Sequence, residues 1–303
     1  MPCYNPLKGW RSKGLNTNGK RSIVFNRKDA FTDLPQQVPC GQCIGCRLER
    51  SRQWAIRCHH EASLHESNVF ITLTYNDEHL PTDESIHVRE LQLFMKRLRK
   101  KYPHKIRFYA CGEYGENFGR PHYHACLFGH DFKDKKIWKL TNNEEPLYRS
   151  KSLEKLWPYG HSSIGEVTFQ SAAYVARYIM KKQTGKNAEE YYSHINKTTG
   201  EITQRVPEFT TMSRRPGIGK EWLNQYVSDV YPSDEIIING KRMKPPKFYD
   251  NQYEIEYPSD FEKLKKIRKQ SVQKHKSNNT PERLAVREKI HELKAERLIR
   301  NLK

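Results

Sequence analysis

The run Val69-Phe70-Ile71-Thr72-Leu73-Thr74-Tyr75 constrains this chain more than any other stretch of its length. β-Branched and aromatic side chains suit a pleated, packed surface, and side chains alternate across a strand. Ile71, Leu73 and Tyr75 therefore share one face, and Thr72 and Thr74 the other. Their density predicts a central strand, ended by Asn76-Asp77-Glu78. Two further strands follow. Lys105 to Cys111 is one, and the stretch Arg120 to Gly129, whose β-favouring residues follow a Gly-Arg-Pro turn and stop at Gly129, is the other. A glycine-rich connection over residues 112–119 joins them as an antiparallel hairpin. Val88 to Lys101 spaces Leu91, Phe94, Met95 and Leu98 as the apolar stripe of a helix.

Elsewhere the pattern is less regular. Residues 1–38 read as an extended arm with one strand-like run at Ser22–Phe25. Residues 131–145 read as a polar loop, 152–157 as a helical turn, 163–169 as a strand and 191–207 as a polar hairpin or loop. Arg47 to about His65 reads as a helix bearing Arg47, Arg50, Arg52 and Arg57, which either touch phosphates or form a solvated face. Residues 220–230 read as a helix, and Ile236 to Arg242 as a hairpin around Asn239-Gly240. From Asp260 onward, 14 basic and 6 acidic side chains suggest two charged helices broken near residues 277–281, a basic helical C-terminal tail.

Charge narrows the partner. A net charge of +19 over 303 residues exceeds what solubility needs and points to a polyanion, with nucleic acid first. No apolar run approaches the roughly 20 residues of a spanning helix, and the N-terminus has no signal-peptide core, so a membrane partner is not expected and a reducing cytoplasm is. Seven cysteines without a secretory signal argue against a disulfide framework. Three of them stand as Cys40-Gly41-Gln42-Cys43-Ile44-Gly45-Cys46, a spacing that suits structural Zn²⁺. Cys3, Cys58, His59 or His60 would supply the fourth ligand. The competing reading is a reduced cysteine-rich turn packed on the next helix, and no fourth thiolate is spaced for an iron–sulfur cluster.

The chemistry gathers on three elements. His122 and His124 project from one face of their strand, opposite Tyr123, Ala125 and Leu127. Glu113 ends the neighbouring strand, with Glu116 as a rival. Two imidazoles and a carboxylate with open positions would hold Mg²⁺ or Mn²⁺ and admit a phosphate oxygen. Ser171 to Lys182 reads as a helix with Tyr174 and Tyr178 one turn apart and Arg177, Lys181 and Lys182 close by. These tyrosines are either a core-facing stripe or nucleophiles whose phenolates the cations favour. Met212 to Gly219 holds Arg214 and Arg215 in a tight turn suited to a phosphate, although it is not a nucleotide-binding loop. Arg120, Arg177, Arg214 and Arg215 are the candidate DNA contacts. A metal would polarise a phosphate, a tyrosine would attack phosphorus, and a 3′-OH would leave; no nucleotide is required.

Residues 70–75, then Gly119-Arg120-Pro121-His122-Tyr123-His124, then residues 174–182 resemble the three ordered motifs of the HUH rolling-circle replication initiators. More narrowly they resemble the initiators of the Microviridae and their gokushovirus branch. Cys40 to Arg47 and Met212 to Gly219 are similar to segments of that branch. The resemblance spans about residues 40 to 220. It implies the α+β HUH endonuclease fold, a central antiparallel sheet flanked by helices with the metal strand in mid-sheet, with His122 and His124 as metal ligands and Glu113 as the upstream carboxylate. It places the paired nucleophiles at Tyr174 and Tyr178, and the lysine that follows them at Lys181 or Lys182. Members nick one strand of the replicative duplex at the origin, stay on the 5′ end and later close the displaced circle. Single-stranded and origin DNA, a host helicase and DNA polymerase, and the cytoplasm of a bacterial host follow. The chain then divides into an N-terminal arm, cysteine knuckle and helix (1–65), a nickase core (66–230) and a basic C-terminal region (231–303). The competing readings are a non-enzymatic zinc-containing nucleic-acid-binding protein and an HUH transposase or relaxase.

Overall fold

The β-branched run becomes a strand, Asn68–Tyr75, in the fourth position of a seven-stranded sheet. The computed structural model describes residues 3–17, 19, 21–115, 119–141, 144–177, 188–195 and 200–296. Its contacts divide the chain into two compact units, Met1–Glu49 with Arg268–Ile299, and Arg50–Ile267.

The first unit contains β1 (Leu7–Ser12), β2 (Ile23–Val24) and β3 (Ala30–Val38), an antiparallel sheet in the order β2-β1-β3. The arm expected over residues 1–38 is thus more ordered than its composition suggests. Its strands are mostly exposed and polar, so backbone pairing rather than an apolar face defines them. Helix α1 (Ile44–Ala62) starts in this unit and supplies Arg50 onward to the larger one.

The larger unit continues with β4 (Asn68–Tyr75), α2 (Val88–Lys101), β5 (Arg107–Tyr114), β6 (Pro121–Phe128), β7 (Lys136–Leu140), β8 (Pro146–Arg149), α3 (Lys151–Leu156), β9 (Gly160–Gly165) and α4 (Phe169–Arg177). Then come α5 (Ala188–Tyr192), β10 (Ser193–Ile195), β11 (Ile202–Gln204), β12 (Phe209–Met212), α6 (Lys220–Gln225) and α7 (Val227–Val230). The hairpin β13 (Ile236–Ile238) and β14 (Lys241–Met243) turns at Asn239-Gly240, both with positive φ, as the Asn-Gly pair predicts. Helices α8 (Lys247–Glu256) and α9 (Pro258–Gln273) follow, and α10 (Pro281–Glu296) belongs to the smaller unit.

The sheet order is β12-β5-β6-β4-β9-β8-β7, and each neighbouring pair is antiparallel. Both faces of its central strands are covered, which explains their apolar runs. Val69, Ile71, Leu73, Tyr123, Ala125, Leu127 and Ile164 pack with the stripe of α2 and with Leu153, Leu156 and Trp157. On the opposite face, Phe70, Tyr109, Cys111, Cys126 and Phe128 meet Ala55 and Cys58 of α1 and Ala172, Val175 and Ala176 of α4. The central sheet flanked by helices stands as expected.

Two local expectations change. Residues 131–145 are not simply loop, because β7 pairs with β8. All of β7 is exposed, so it carries no alternating apolar signal. Helix α4 starts at Phe169, not after Ser171. Thr168 caps it: the Ser171 amide donates to Thr168 Oγ1 at 3.0 Å, and the Thr168 amide donates back to Ser171 Oγ at 2.8 Å. This reciprocal pair is a capping box with serine in the third helical position.

Two buried histidines tie this fold to pH. Burial holds His60, stacked on Trp222, down to about 3, and His130, under Tyr102, down to about 4. An unfolded imidazole titrates near 6.5, so below that value the unfolded chain takes up protons that the fold refuses. Stability is therefore expected to fall as pH drops from 6.5, by on the order of 3 kcal/mol at pH 5 for the two sites together. Urea midpoints measured at pH 7, 6 and 5 check this; a flat series would show that neither histidine titrates on unfolding.

Candidate active site

The antiparallel register sets three strands side by side. Glu113, His122 and Thr74 share one rung, Cys111, His124 and Thr72 the next, and Tyr109, Cys126 and Phe70 the third. All nine lie on the face covered by α1 and α4, because positions two apart share a face. Sequence alternation placed the two histidines together. The rung shared by Glu113 and His122 comes from the pairing of β5 with β6.

His124 is buried with Glu113. Its Nε2 lies 2.8 Å from Glu113 Oε1, and its Nδ1 shares a hydrogen bond with the Thr72 hydroxyl at 3.0 Å. Thr72 orients the ring, a role that the strand sequence does not announce. Phe70 stacks on the same ring at 5.7 Å between centroids. His122 Nδ1–H donates to the Arg120 carbonyl at 2.5 Å, which leaves the lone pair on Nε2. Burial lowers the pKa of His122, with the neighbouring His124 acting in the same direction, and so favours the neutral form that binds metal. Gly115 lies against this ring: a Cβ there would sit 3.1 Å from His122 Cε1.

Tyr174 projects from α4 over this face. Its ring meets that of His124 edge-on at 5.4 Å and that of Phe70 at 6.3 Å. Arg177 ends α4, while Tyr178, Lys181 and Lys182 lie outside the described residues. Arg120 donates to the Tyr75 carbonyl at 3.0 Å and pairs with Asp77 at the end of β4. Arg214 and Arg215 are exposed. The turn that carries them uses its last amide internally, since Gly219 N–H donates to the buried Glu61 carboxylate at 2.7 Å. Arg57, one of the candidate phosphate arginines, donates to Ile218 O and lies between the rings of Trp54 and Phe248. His161 was not foreseen. It is exposed and pairs with Thr74, which extends the Glu113 rung to a fourth strand.

Two imidazoles and a carboxylate make a mixed nitrogen and oxygen donor set that suits a divalent ion such as Mn²⁺ or Mg²⁺. The side chains are not drawn to ligand spacing: the two histidine rings are 6.3 Å apart. Among the described residues, one group of three or more His, Cys, Asp or Glu has all its donor atoms within 4.8 Å of one another: Cys3, Cys40, Cys43 and Cys46. The quartet forms a site able to hold a metal ion. Of the candidate fourth ligands, Cys3 joins the knuckle, whereas Cys58 is buried under the sheet. The Cys40 amide donates to Cys3 Sγ at 3.2 Å, and the Gln42 and Cys43 amides donate to Cys40 Sγ at 3.4 and 3.3 Å. Burial raises the Cys40 thiol, but those two amides together with the Cys3 and Cys43 side chains outweigh it and hold the group at about 7.

Fold and site together define an α+β protein whose antiparallel sheet turns a histidine pair and a carboxylate toward a tyrosine-bearing helix. The family of replication-associated protein ORF2/G2P matches residues 68–183, the stretch from β4 through the histidine strand and α4. Replication-associated protein VP4 of Bdellovibrio phage phiMH2K is 32% identical over 86% of this chain and 80% of that protein. Replication-associated protein ORF2 of Spiroplasma virus 4 is 32% identical over 90% of this chain and 88% of its own. Replication-associated protein ORF4 of Chlamydia phage 1 is 28% identical over 73% of this chain. The chain belongs to this Microviridae-type family of phage replication-associated proteins. No solved structure matches it. Among the described residues, no helix is long and apolar enough to cross a membrane.

Proposed function

We propose that this protein initiates rolling-circle replication of phage DNA as an HUH endonuclease, with residues 66–230 as its nickase core. One observation carries the reading: Tyr174 lies edge-on to His124, on the sheet face that also presents His122 and Glu113. Mg²⁺ or Mn²⁺ held by His122, His124 and Glu113 would withdraw charge from the non-bridging phosphate oxygens. Thr72 and the Arg120 carbonyl fix the two imidazoles, each through Nδ1. The Tyr174 or Tyr178 oxygen attacks phosphorus and gives up its proton. A phosphorus–oxygen bond forms to the tyrosine, and the bond to the 3′ oxygen breaks, leaving a 3′-OH for synthesis. The second tyrosine serves the next junction, and attack by the freed 3′-OH rejoins the displaced strand. Arg120, Arg177, Arg214 and Arg215, with Lys181 or Lys182, hold the DNA backbone. Host helicase and polymerase complete the cycle in the bacterial cytoplasm. Zn²⁺ at the cysteine quartet has a structural role.

The cysteine quartet and the positive charge also favour a second reading, a zinc-containing nucleic-acid-binding protein without catalysis. Incubation with Mn²⁺ and single-stranded origin DNA separates the two. A covalent adduct that maps by tryptic digestion to Tyr174 or Tyr178 is the expected result. DNA binding without an adduct under any divalent metal would leave the non-catalytic reading standing.

A further inference from the structure

The cysteine quartet joins the two ends of the first stretch of the smaller unit, Cys3 and Cys40 to Cys46. Cys3 belongs to a short segment before β1 that is in no helix or strand, and Tyr4 and Asn5 follow it directly. The Tyr4 amide donates to Cys43 Sγ at 3.3 Å, and Cys3 Sγ lies 4.0 Å from Cys43 Sγ. A single tetrahedral zinc ion with bonds of about 2.3 Å sets its sulfurs about 3.8 Å apart. The quartet is close to that spacing, whereas the thiolates of a four-iron cluster stand farther apart.

The same segment grips the C-terminal helix. Leu284, Glu288 and His291 of α10 are four and three residues apart and so share one face. Leu284 is buried with Tyr4 and Cys43 against Cys3, Cys40, Ile44 and Cys46. The Tyr4 hydroxyl and His291 Nδ1 are 3.0 Å apart, and Asn5 Nδ2 donates to both Glu288 oxygens at 3.0 and 3.1 Å. The face of α10 that carries Val286, Ile290 and Leu293 is exposed, so the helix is buried through Leu284, while Arg283 and Arg287 bond Asn278 and Asn279 just before it.

We infer that zinc bound by Cys3, Cys40, Cys43 and Cys46 is the clasp that docks helix α10 onto the N-terminal segment. This rests on the zinc reading above and adds Cys3 as the fourth ligand. The segment Cys3 to Pro6, outside regular structure, loses its backbone freedom when Cys3 is ligated. Tyr4 and Asn5 are then already placed for Glu288 and His291. Without the ion that ordering must be supplied by the helix contacts alone.

The test uses the full chain in excess Mg²⁺, with a zinc-selective chelator. Zinc is counted by mass spectrometry of the metal, and α10 is followed by amide exchange and by tryptic cleavage after Arg283, Arg287 and Lys289. Wild type is expected to hold one zinc per chain, and chelation to speed exchange across α10 by about tenfold or more. Cys3→Ser is expected to lose the zinc and free the helix. Tyr4→Ala is expected to keep the zinc and free the helix. Zinc retained at one per chain, with exchange in α10 unchanged by chelation or by Tyr4→Ala, overturns the clasp while the zinc reading stands. A chain that holds no zinc overturns both.

Discussion

Tyr174→Phe/Tyr178→Phe is expected to abolish the covalent adduct, with a loss of strand cleavage of roughly 10⁴-fold or more, because phenylalanine has no oxygen to attack phosphorus. DNA binding and urea stability should stay near wild type, since each change deletes one hydroxyl. Tyr174→Phe alone should account for most of the loss at the first junction, because the Tyr174 ring lies against His124. Gel-shifted adduct from labelled origin DNA, timed in Mn²⁺, is the measurement. An unchanged adduct yield in the double variant would remove both tyrosines from the chemistry. Truncation to alanine would be less informative, since the Tyr174 ring also packs among Phe70, Val175 and their neighbours.

Glu61→Ala is expected to cost about 3–5 kcal/mol, the largest loss of stability from a single substitution here. Glu61 on α1 and Arg107 at the start of β5 are both buried and paired. Arg107 also donates to the Pro216 carbonyl at 2.9 Å, and Gly219 N–H donates to Glu61 at 2.7 Å. Removing Glu61 leaves a guanidinium in the interior without its counter-charge and an amide without its acceptor. Glu61→Gln keeps an acceptor for Gly219 and should cost less, although Arg107 still loses its counter-charge. Denaturant unfolding at pH 7 measures both. A loss below about 1 kcal/mol for Glu61→Ala would mean that water reaches Arg107 in the variant. Activity should weaken in step with stability, since β5 carries Arg107 at one end and Glu113 at the other, both on the helix-covered face.

Strands β4, β5 and β6 and helix α2 were legible because each carries an apolar pattern at its own period. Strands β1, β3 and β7 were not, because pairing with a neighbour makes them strands while their side chains stay exposed. The three cysteines of the knuckle announce themselves through spacing, but the choice of Cys3 over Cys58, His59 and His60 depends on where a distant segment runs. The basic turn at residues 213–219 suggested phosphate contacts; its Gly219 amide instead satisfies Glu61, a residue that looks like any other helical carboxylate in the sequence.

The histidine pair and the tyrosine helix mark where the two kinds of information meet. Alternation along one strand is a property of the backbone, so His122 and His124 were bound to share a face whatever surrounded them. Which carboxylate stands opposite, that Thr72 orients His124, and that α4 covers this face depend on strand register and helix packing. Those are set by contacts between residues tens of positions apart, whose free energy no local stretch contains. Donor types, charge and the central strands are local properties of the chain; which of them meet depends on packing between distant segments.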